Sequence, residues 1–276
     1  MYLEIGLKDH FKIYRLMKTI IIIGINADIG TNLANQFITD GYKVIGTYRK
    51  KKPRNIPKAD IIKCDITKKK DIETFITTLK KKNIKWDIIF SSVGTSEPIS
   101  KFFDINFDLW RKSIYVNFIS QLEVIHFLYK LRSKNKNSII LMAGGGTNNP
   151  FTNYSAYCVS KIALIKMCEL IDDEYKNLNT FIIGPGFTKT KTHLETIRAG
   201  KKAGLNYSRV KKFLKSSDQG TSFKKIYDCI LWGIKQGRKV VGGRNISVVH
   251  DEWGSKKLKY KLLNDKNKFK LRRFKN

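Results

Sequence analysis

Seven short runs of β-branched and aromatic residues recur along the chain, and helical spacing fills most of the gaps between them. The first, Lys18 to Gly24, is apolar without alternation, the pattern of a strand buried on both faces. Tyr42–Tyr48, Ala59–Cys64, Trp86–Phe90, Asn137–Met142 and Thr180–Gly184 repeat that pattern, and a run near Lys239–Val249 predicts a last strand. A helix is expected from about Gly30, with Leu33, Ala34 and Phe37 inward and Gly41 as its stop. Others are expected over Lys69–Lys82, in one long piece over about Phe107–Leu131, from Tyr154 to about Tyr175, and near Asp218–Lys235. The stretch from Pro185-Gly186 to about Ser217 is polar and has no strand character.

Strands alternating with helices predict an α/β fold: a Rossmann-like, doubly wound parallel sheet flanked by helices, with right-handed crossovers. No Pro/Gly/Ser-rich linker and no repeat interrupts it, so the chain reads as a single domain over residues 17–250. Residues 1–16 read as an N-terminal extension. Glu4, Lys8, Asp9, Lys12 and Arg15 break any apolar leader there, and Met17-Lys18 stands directly before the first strand. Residues 251–276 read as a basic C-terminal tail.

Composition adds limits. At 276 residues and 42% hydrophobic content the chain can bury a substantial core. Its apolar runs are too short to cross a bilayer. Cys64, Cys158, Cys168 and Cys229 show neither close pairing nor metal spacing, which suits reduced thiols and a cytoplasmic location. His10, His126, His193 and His250 are scattered, so no metal site is expected. The net charge of +31 admits nucleic acid, an anionic surface or an anionic substrate, but the lysines are spread along the whole chain. They are densest at Arg49–Lys58, Lys189–Lys215 and Lys256–Lys275. Beyond Tyr260, Phe269 and Phe274 the tail lacks aromatic interleaving, and it carries no nucleic-acid-binding signature, so a polyanion partner is the weaker reading.

Candidate chemistry sits at the carboxyl ends of the expected strands, where ligands of such sheets bind. Gly24-Ile-Asn-Ala-Asp28-Ile-Gly30 joins the first strand to the first helix. Its glycines permit a tight turn and close approach of a pyrophosphate to a helix N-terminus. Asp28 would repel a phosphate, so it must cap the helix or point away. Tyr157 and Lys161 stand four apart, one turn from each other on a single helix face, and a nearby ammonium favours a phenolate. Thr47-Tyr48-Arg49-Lys50 ends the second strand without an acidic residue; the Arg49 fork suits a 2′-phosphate, hence NADP over NAD.

In this order and spacing the motifs resemble the short-chain dehydrogenase/reductase family from roughly Lys18 to Val249. Gly24 and Gly30 match the outer glycines of its first turn, Gly94 the glycine after strand four, and Asn117 its helix asparagine. Tyr157 and Lys161 match its Tyr-x-x-x-Lys pair, Pro185, Gly186 and Thr190 its turn after strand six, and Asp65 an aspartate near the adenine. The resemblance implies a cofactor surface of Gly24, Asn26, Asp28, Ile29, Gly30, Arg49, Asp65, Ile66, Gly94, Tyr157, Lys161, Pro185, Gly186, Thr188 and Thr190. It implies Tyr157 as the general acid/base, Lys161 lowering its pKa and binding the nicotinamide ribose, and Asn117 holding a water beside Lys161. It implies a homodimer or homotetramer, and a substrate lid over Phe187–Ser217 whose lysines suggest an anionic small molecule. One departure stands out. The serine usual thirteen residues before the tyrosine is Gly144 here, leaving Thr147, Asn148, Ser155 or backbone amides to hold the reacting oxygen. The same departure motivates an alternative, a nucleotide-binding protein of this fold with weak or no catalysis.

Overall fold

Residues 17–273 are described by the structure, a computed structural model; the expected extension over residues 1–16 lies outside them. Seven strands form one parallel sheet: β1 Thr19–Ile23, β2 Lys43–Tyr48, β3 Asp60–Lys63, β4 Ile88–Ser91, β5 Asn137–Met142, β6 Leu178–Gly184 and β7 Asn245–Ser247. Their order is β3-β2-β1-β4-β5-β6-β7. Because side chains alternate across a strand, each strand feeds two cores. Ile21 and Ile23 of β1 enter one, with Ile139 and Leu141 of β5; Ile20 and Ile22 enter the other, with Ile140 and Met142. This two-sided burial explains the unbroken apolar runs.

The helices are α1 Asp28–Thr39, α2 Lys69–Lys81, α3 Phe107–Ile114, α4 Ser120–Leu128, α5 Ser155–Glu174, α6 Thr192–Ala199, α7 Leu205–Lys215, α8 Phe223–Gln236, α9 Arg238–Val241 and α10 Lys256–Asn264. The first core is roofed by α2, α4 and α5, through residues such as Phe75, Val124 and Leu164. The second is roofed by α1, α8 and α10, through Phe37, Ile230 and Leu258. Amphipathic spacing in each helix supplies the covering face.

Two expectations differ in detail. The helix expected in one piece over Phe107–Leu131 is broken by a π-helical segment at Tyr115–Ile119 and ends in a 3-10 turn at Tyr129–Leu131. The strand expected over Lys239–Val249 is shorter. Val240 and Val241 lie in α9 and are buried, Gly242-Gly243 turns the chain, and only Asn245–Ser247 pairs with β6. A run rich in valine reads as strand whether sheet or helix buries it, because periodicity over four residues cannot separate the two.

The segment after residue 250 folds back on the sheet. In α10, Leu258 and Leu262 are buried while its lysines face solvent. Beyond it the Phe269 carbonyl accepts from the Asn245 N–H at 2.9 Å, covering the exposed edge of β7. Arg244, 4% exposed, fastens this strap by donating to the carbonyls of Leu262 (2.7 Å), Asp265 (2.9 Å) and Lys268. Charge-assisted bonds from a buried guanidinium are strong, and removing it leaves buried acceptors unpaired. Arg244→Ala should therefore lower the unfolding free energy by about 3 kcal/mol in urea titration. A loss below about 1 kcal/mol would show that the strap is held by its apolar contacts alone.

Candidate active site

Sheet order places β1 between β2 and β4, so the loops leaving β1 and β4 diverge and a crevice opens beyond their carboxyl ends. A groove of about 1990 Å³ runs along these ends, lined by the loops after β1, β2, β4, β5 and β6. At its head the chain turns at Gly24, whose φ of +78° is costly for any side-chain-bearing residue. The Gly24 N–H donates to Thr47 Oγ1 at 3.0 Å, and Ser92 donates to the Gly24 carbonyl at 2.8 Å. A Cβ at Gly30 would stand 2.6 Å from Ser92 Oγ and 2.8 Å from that carbonyl, so the turn closes only on glycine. Ser92, which carries this closure, gave no sequence signal beyond its place after β4.

Asp28 opens α1 yet caps nothing on it. Its carboxylate reaches across the groove, accepts from the Lys191 N–H at 2.6 Å and pairs with Lys191 Nζ at 3.4 Å. The lid, α6 and α7, is fastened at further points. Glu195 accepts from the Ser96 N–H (2.6 Å) and the Thr95 hydroxyl (3.1 Å), and Arg198 pairs with Glu97 at 3.3 Å. Asn206 donates to the Tyr154 hydroxyl at 2.9 Å. Burial, and then the Glu97 carboxylate, push the Glu195 carboxyl up against the bonds from Ser96 and Thr95 and the charge of Arg198. None of Thr95, Ser96 or Glu195 was singled out from the sequence, because their pairing spans about a hundred positions.

The first turns of α5 present Tyr157 and Lys161 to the groove. Lys161 is 3% exposed, and Nζ donates to the Met142 carbonyl at 3.0 Å and lies 5.7 Å from the Tyr157 ring centroid. Burial lowers its pKa to about 8. The Tyr157 phenol is pushed up instead of down: burial dominates, Cys158 and Glu195 add to it, and the Gly145 N–H opposes it. The lowered phenol pKa expected from the lysine is thus not found in this state. The ammonium is turned to a carbonyl while a carboxylate stands near the phenol.

Asn117 lies in the π-helical segment, fully buried. Its side chain forms a reciprocal pair with Thr95, accepting from the N–H at 2.8 Å and donating to the carbonyl at 2.8 Å. Gln121 Nε2 takes the Asn117 carbonyl at 2.5 Å and Gln121 Oε1 accepts from Ser91 at 2.5 Å, so Asn117 is fixed to the end of β4. A Cβ at Gly94 would lie 3.5 Å from Asn117 Oδ1 and 3.7 Å from Lys161 Nζ, which brings Gly94, Asn117 and Lys161 into one cluster.

At the far end of the groove Asp65 accepts from the Thr67 hydroxyl (2.7 Å) and N–H (3.1 Å). Burial alone would raise its pKa; those bonds and the charges of Arg49 and Lys68 outweigh it and lower it. Asn26, Ile29, Ile66, Pro185, Gly186, Thr188 and Thr190 line the same groove. Thr188 Oγ1 is buried without a hydrogen-bond partner, an orphan that a bound ligand would satisfy. Of the residues considered for the missing serine hydroxyl, Thr147 and Asn148 line the groove, whereas Ser155 accepts from Trp110 Nε1 at 3.0 Å.

Comparison with known proteins agrees with this architecture. An uncharacterised oxidoreductase of Schizosaccharomyces pombe is 30% identical over 131 residues, 47% of this chain, and the match spans only about half of that relative, 51%. An NAD-dependent glycerol dehydrogenase of Listeria innocua is 24% identical over 242 residues, 84% of this chain and 92% of that protein. The crystal structure of a short chain dehydrogenase/reductase from Saccharomyces cerevisiae superposes with a TM-score of 0.75 at 18% identity, covering 87% of this chain and 98% of that one. The model of the short chain dehydrogenase family matches residues 18–200, about two-thirds of the chain. With its seven-stranded parallel sheet, glycine turn and Tyr157/Lys161 pair, the chain belongs to the short-chain dehydrogenase/reductase family.

Proposed function

We propose that the protein is an NADP-dependent oxidoreductase that interconverts a carbonyl and a hydroxyl, with Tyr157 as its general acid/base. The observation that carries this reading is the convergence of Tyr157 and Lys161 with Gly94 and Asn117 where the groove meets α5. The groove fits a dinucleotide: its first turn closes only on glycine, leaving backbone open to a pyrophosphate, and Thr188 offers an unpaired buried hydroxyl. Gly24, Asn26, Ile29, Gly30, Asp65, Ile66, Gly94, Pro185, Gly186, Thr188 and Thr190 would hold such a cofactor, with Asp28 at the entry. A reduced nicotinamide supplies hydride when bound.

The residues of this chain do the rest. Tyr157 gives its Oη proton to the substrate oxygen as the carbonyl carbon is reduced, and Lys161 places positive charge beside the resulting phenolate. Asn117, locked to Thr95, keeps the loop after β4 at the correct height over the pair. Arg49 supports NADP, since its charge acts on Asp65 at the adenine end and Lys50 and Lys51 line the same groove. The NAD dependence in the name of the Listeria relative is that protein's.

An anionic substrate has less support than the lid's composition suggested. Lys191 and Arg198 pair with Asp28 and Glu97, Lys189 donates to the Ser216 carbonyl, and Arg209 lies over the Phe187 ring. Lys112, Lys191, Arg198 and Arg209 all line the groove, and of these Lys112 alone is not among the engaged cations just named. A homo-oligomer through the helical stretch that starts at Phe107 and through α5 is part of the reading, supported by exposed Ile119 on the first and exposed Val159, Ile162 and Leu170 on the second. So is a cytoplasmic, reducing compartment, supported by four free cysteines. No helix among the described residues is long and apolar enough to cross a membrane.

Three outcomes are expected. Tyr157→Phe should cut NADPH-dependent carbonyl reduction by at least about 100-fold while leaving NADPH affinity, read by fluorescence, little changed. Equal activity of the two proteins would favour the nucleotide-binding alternative. Arg49→Glu should weaken NADP far more than NAD, since it exchanges a phosphate-pairing fork for a repelling carboxylate; an equal loss for both would refute the assignment. The pH profile follows from Lys161. Its pKa near 8 means that the ammonium beside Tyr157 is present below that pH and is lost as pH rises through it. kcat/KM for carbonyl reduction should therefore decline through about pH 8, and a flat profile to pH 10 would detach Lys161 from the proton-transfer step.

A further inference from the structure

The topology of the sheet parts the loops after β1 and β4, and α6 joins them again. Lys191, which precedes α6 with helical dihedrals, falls with Glu195 and Arg198 at i, i+4 and i+7, one face of the helix. Each meets a complementary group across the groove. Lys191 faces the Asp28 carboxylate, Glu195 the Ser96 N–H and Thr95 hydroxyl, and Arg198 the Glu97 carboxylate. The register is fixed by repulsion as well as attraction. Sliding α6 by one turn either way would set Glu195 against Asp28 or against Glu97.

Of these three contacts only the first reaches the wall formed by α1. Asp28 is the first residue of that helix, and both it and Lys191 line the groove, from opposite sides. The carboxylate accepts from the Lys191 N–H at 2.6 Å and lies 3.4 Å from Nζ. The Asp28 side chain is 22% exposed and that of Lys191 77%, so the short bond to the backbone N–H holds more firmly than the solvated ion pair. The contact crosses the groove beside the N-terminus of α1, where a helix attracts phosphate. A glycine at position 28 could not make it.

We propose that Asp28 and Lys191 form a bar across the groove, and that α6 must leave Asp28 before a dinucleotide enters or departs. The gating role rests on the proposed dinucleotide binding, whereas the bar is a property of the chain alone. Asp28 thus has two opposed effects on a bound cofactor. Its charge repels a pyrophosphate, which favours release; the bar closes the way out, which slows it. While Lys191 neutralises the carboxylate the repulsion is small, so retention dominates.

The test measures NADPH association and release by stopped-flow fluorescence, with excess NADP displacing the bound cofactor. NADH and NAD take their place if only NADH binds. Wild type is compared with Asp28→Ala, Lys191→Met and the double variant. Asp28→Ala removes both contacts, whereas Lys191→Met removes the ammonium and keeps the bond from the N–H. Release should quicken about 10-fold in Asp28→Ala and less in Lys191→Met, with association quickened too. The double variant should match Asp28→Ala, because the two residues act through one contact. A second readout needs no cofactor: amide hydrogen exchange over residues 188–199 should be faster in Asp28→Ala than in wild type. Release unchanged or slowed in Asp28→Ala, effects that multiply in the double variant, or unmoved exchange would each overturn the proposal, even where NADPH binds. Exchange that quickens in a protein that binds neither NADPH nor NADH overturns the dinucleotide reading, and the gating role with it.

Discussion

The split between the loops that leave β1 and β4 governs the molecule. β1 pairs with β2 on one side and β4 on the other, and their connections depart in opposite directions, so the sheet cannot close over its own carboxyl edge. What closes it is polar and local. The Ser92 hydroxyl, from the β4 side, holds the Gly24 carbonyl, from the β1 side, and the Thr47 hydroxyl of β2 holds the Gly24 amide. Three strands thus fix one turn, and α1 starts from it with its first residues lining the groove. The Tyr157, Lys161 and Asn117 cluster is built on the same edge two strands further on, where Asn117 and Gln121 bind the end of β4 and the loop after it to the helix that roofs it.

Across this groove lie α6 and α7, whose Lys191 and Arg198 pair with carboxylates on its far side. Asp28 stands where the family places a glycine, and its carboxylate would oppose a pyrophosphate if it faced the turn. It faces Lys191 instead, through both the backbone amide and the ammonium. The departure from the family pattern at one end of the groove therefore serves the closure of the other. Glu195 does the same nearer to Tyr157, and with Arg198 it joins α6 to the loop after β4. The net charge of +31 thus has two populations. Several lid cations have partners or aromatic faces to sit on, whereas the lysines of α10 stand in solvent around two buried leucines.

Much of the fold was legible because parallel strands buried on both faces leave unbroken apolar runs, and β1, β2, β4, β5 and β6 register as such. The edge was harder. β7 has three residues, and the valines before it belong to a short helix, a distinction that four residues of pattern do not encode. The candidate site divides in the same way. Residues whose chemistry depends on sequence-local spacing were visible: Gly24 and Gly30, Tyr157 and Lys161, Pro185 and Gly186. Residues that act through contacts far along the chain were not: Ser92, Gln121, Thr95 and Glu195 are ordinary polar residues until folding sets them opposite their partners. The π-helical segment at Asn117 was invisible for another reason, since a single widened turn leaves hydrophobic periodicity almost unchanged.

Electrostatics at Tyr157 link these parts. The resting site keeps its proton on the phenol, because burial disfavours phenolate and the Glu195 carboxylate and Cys158 disfavour it further, with only the Gly145 amide on the opposite side. Lys161 is held by the Met142 carbonyl with its pKa drawn down to about 8, so it is charged at neutral pH by a small margin. On the reading proposed above, such a site is set to donate a proton to a carbonyl oxygen; removing one from a hydroxyl requires the phenolate it disfavours. Glu195 belongs to the lid, so lid position and phenol acidity are coupled through one carboxylate. Lifting α6 would withdraw that charge and admit water, and both changes lower the cost of the phenolate. On that reading α6, through Glu195, would also set which direction of proton transfer Tyr157 favours.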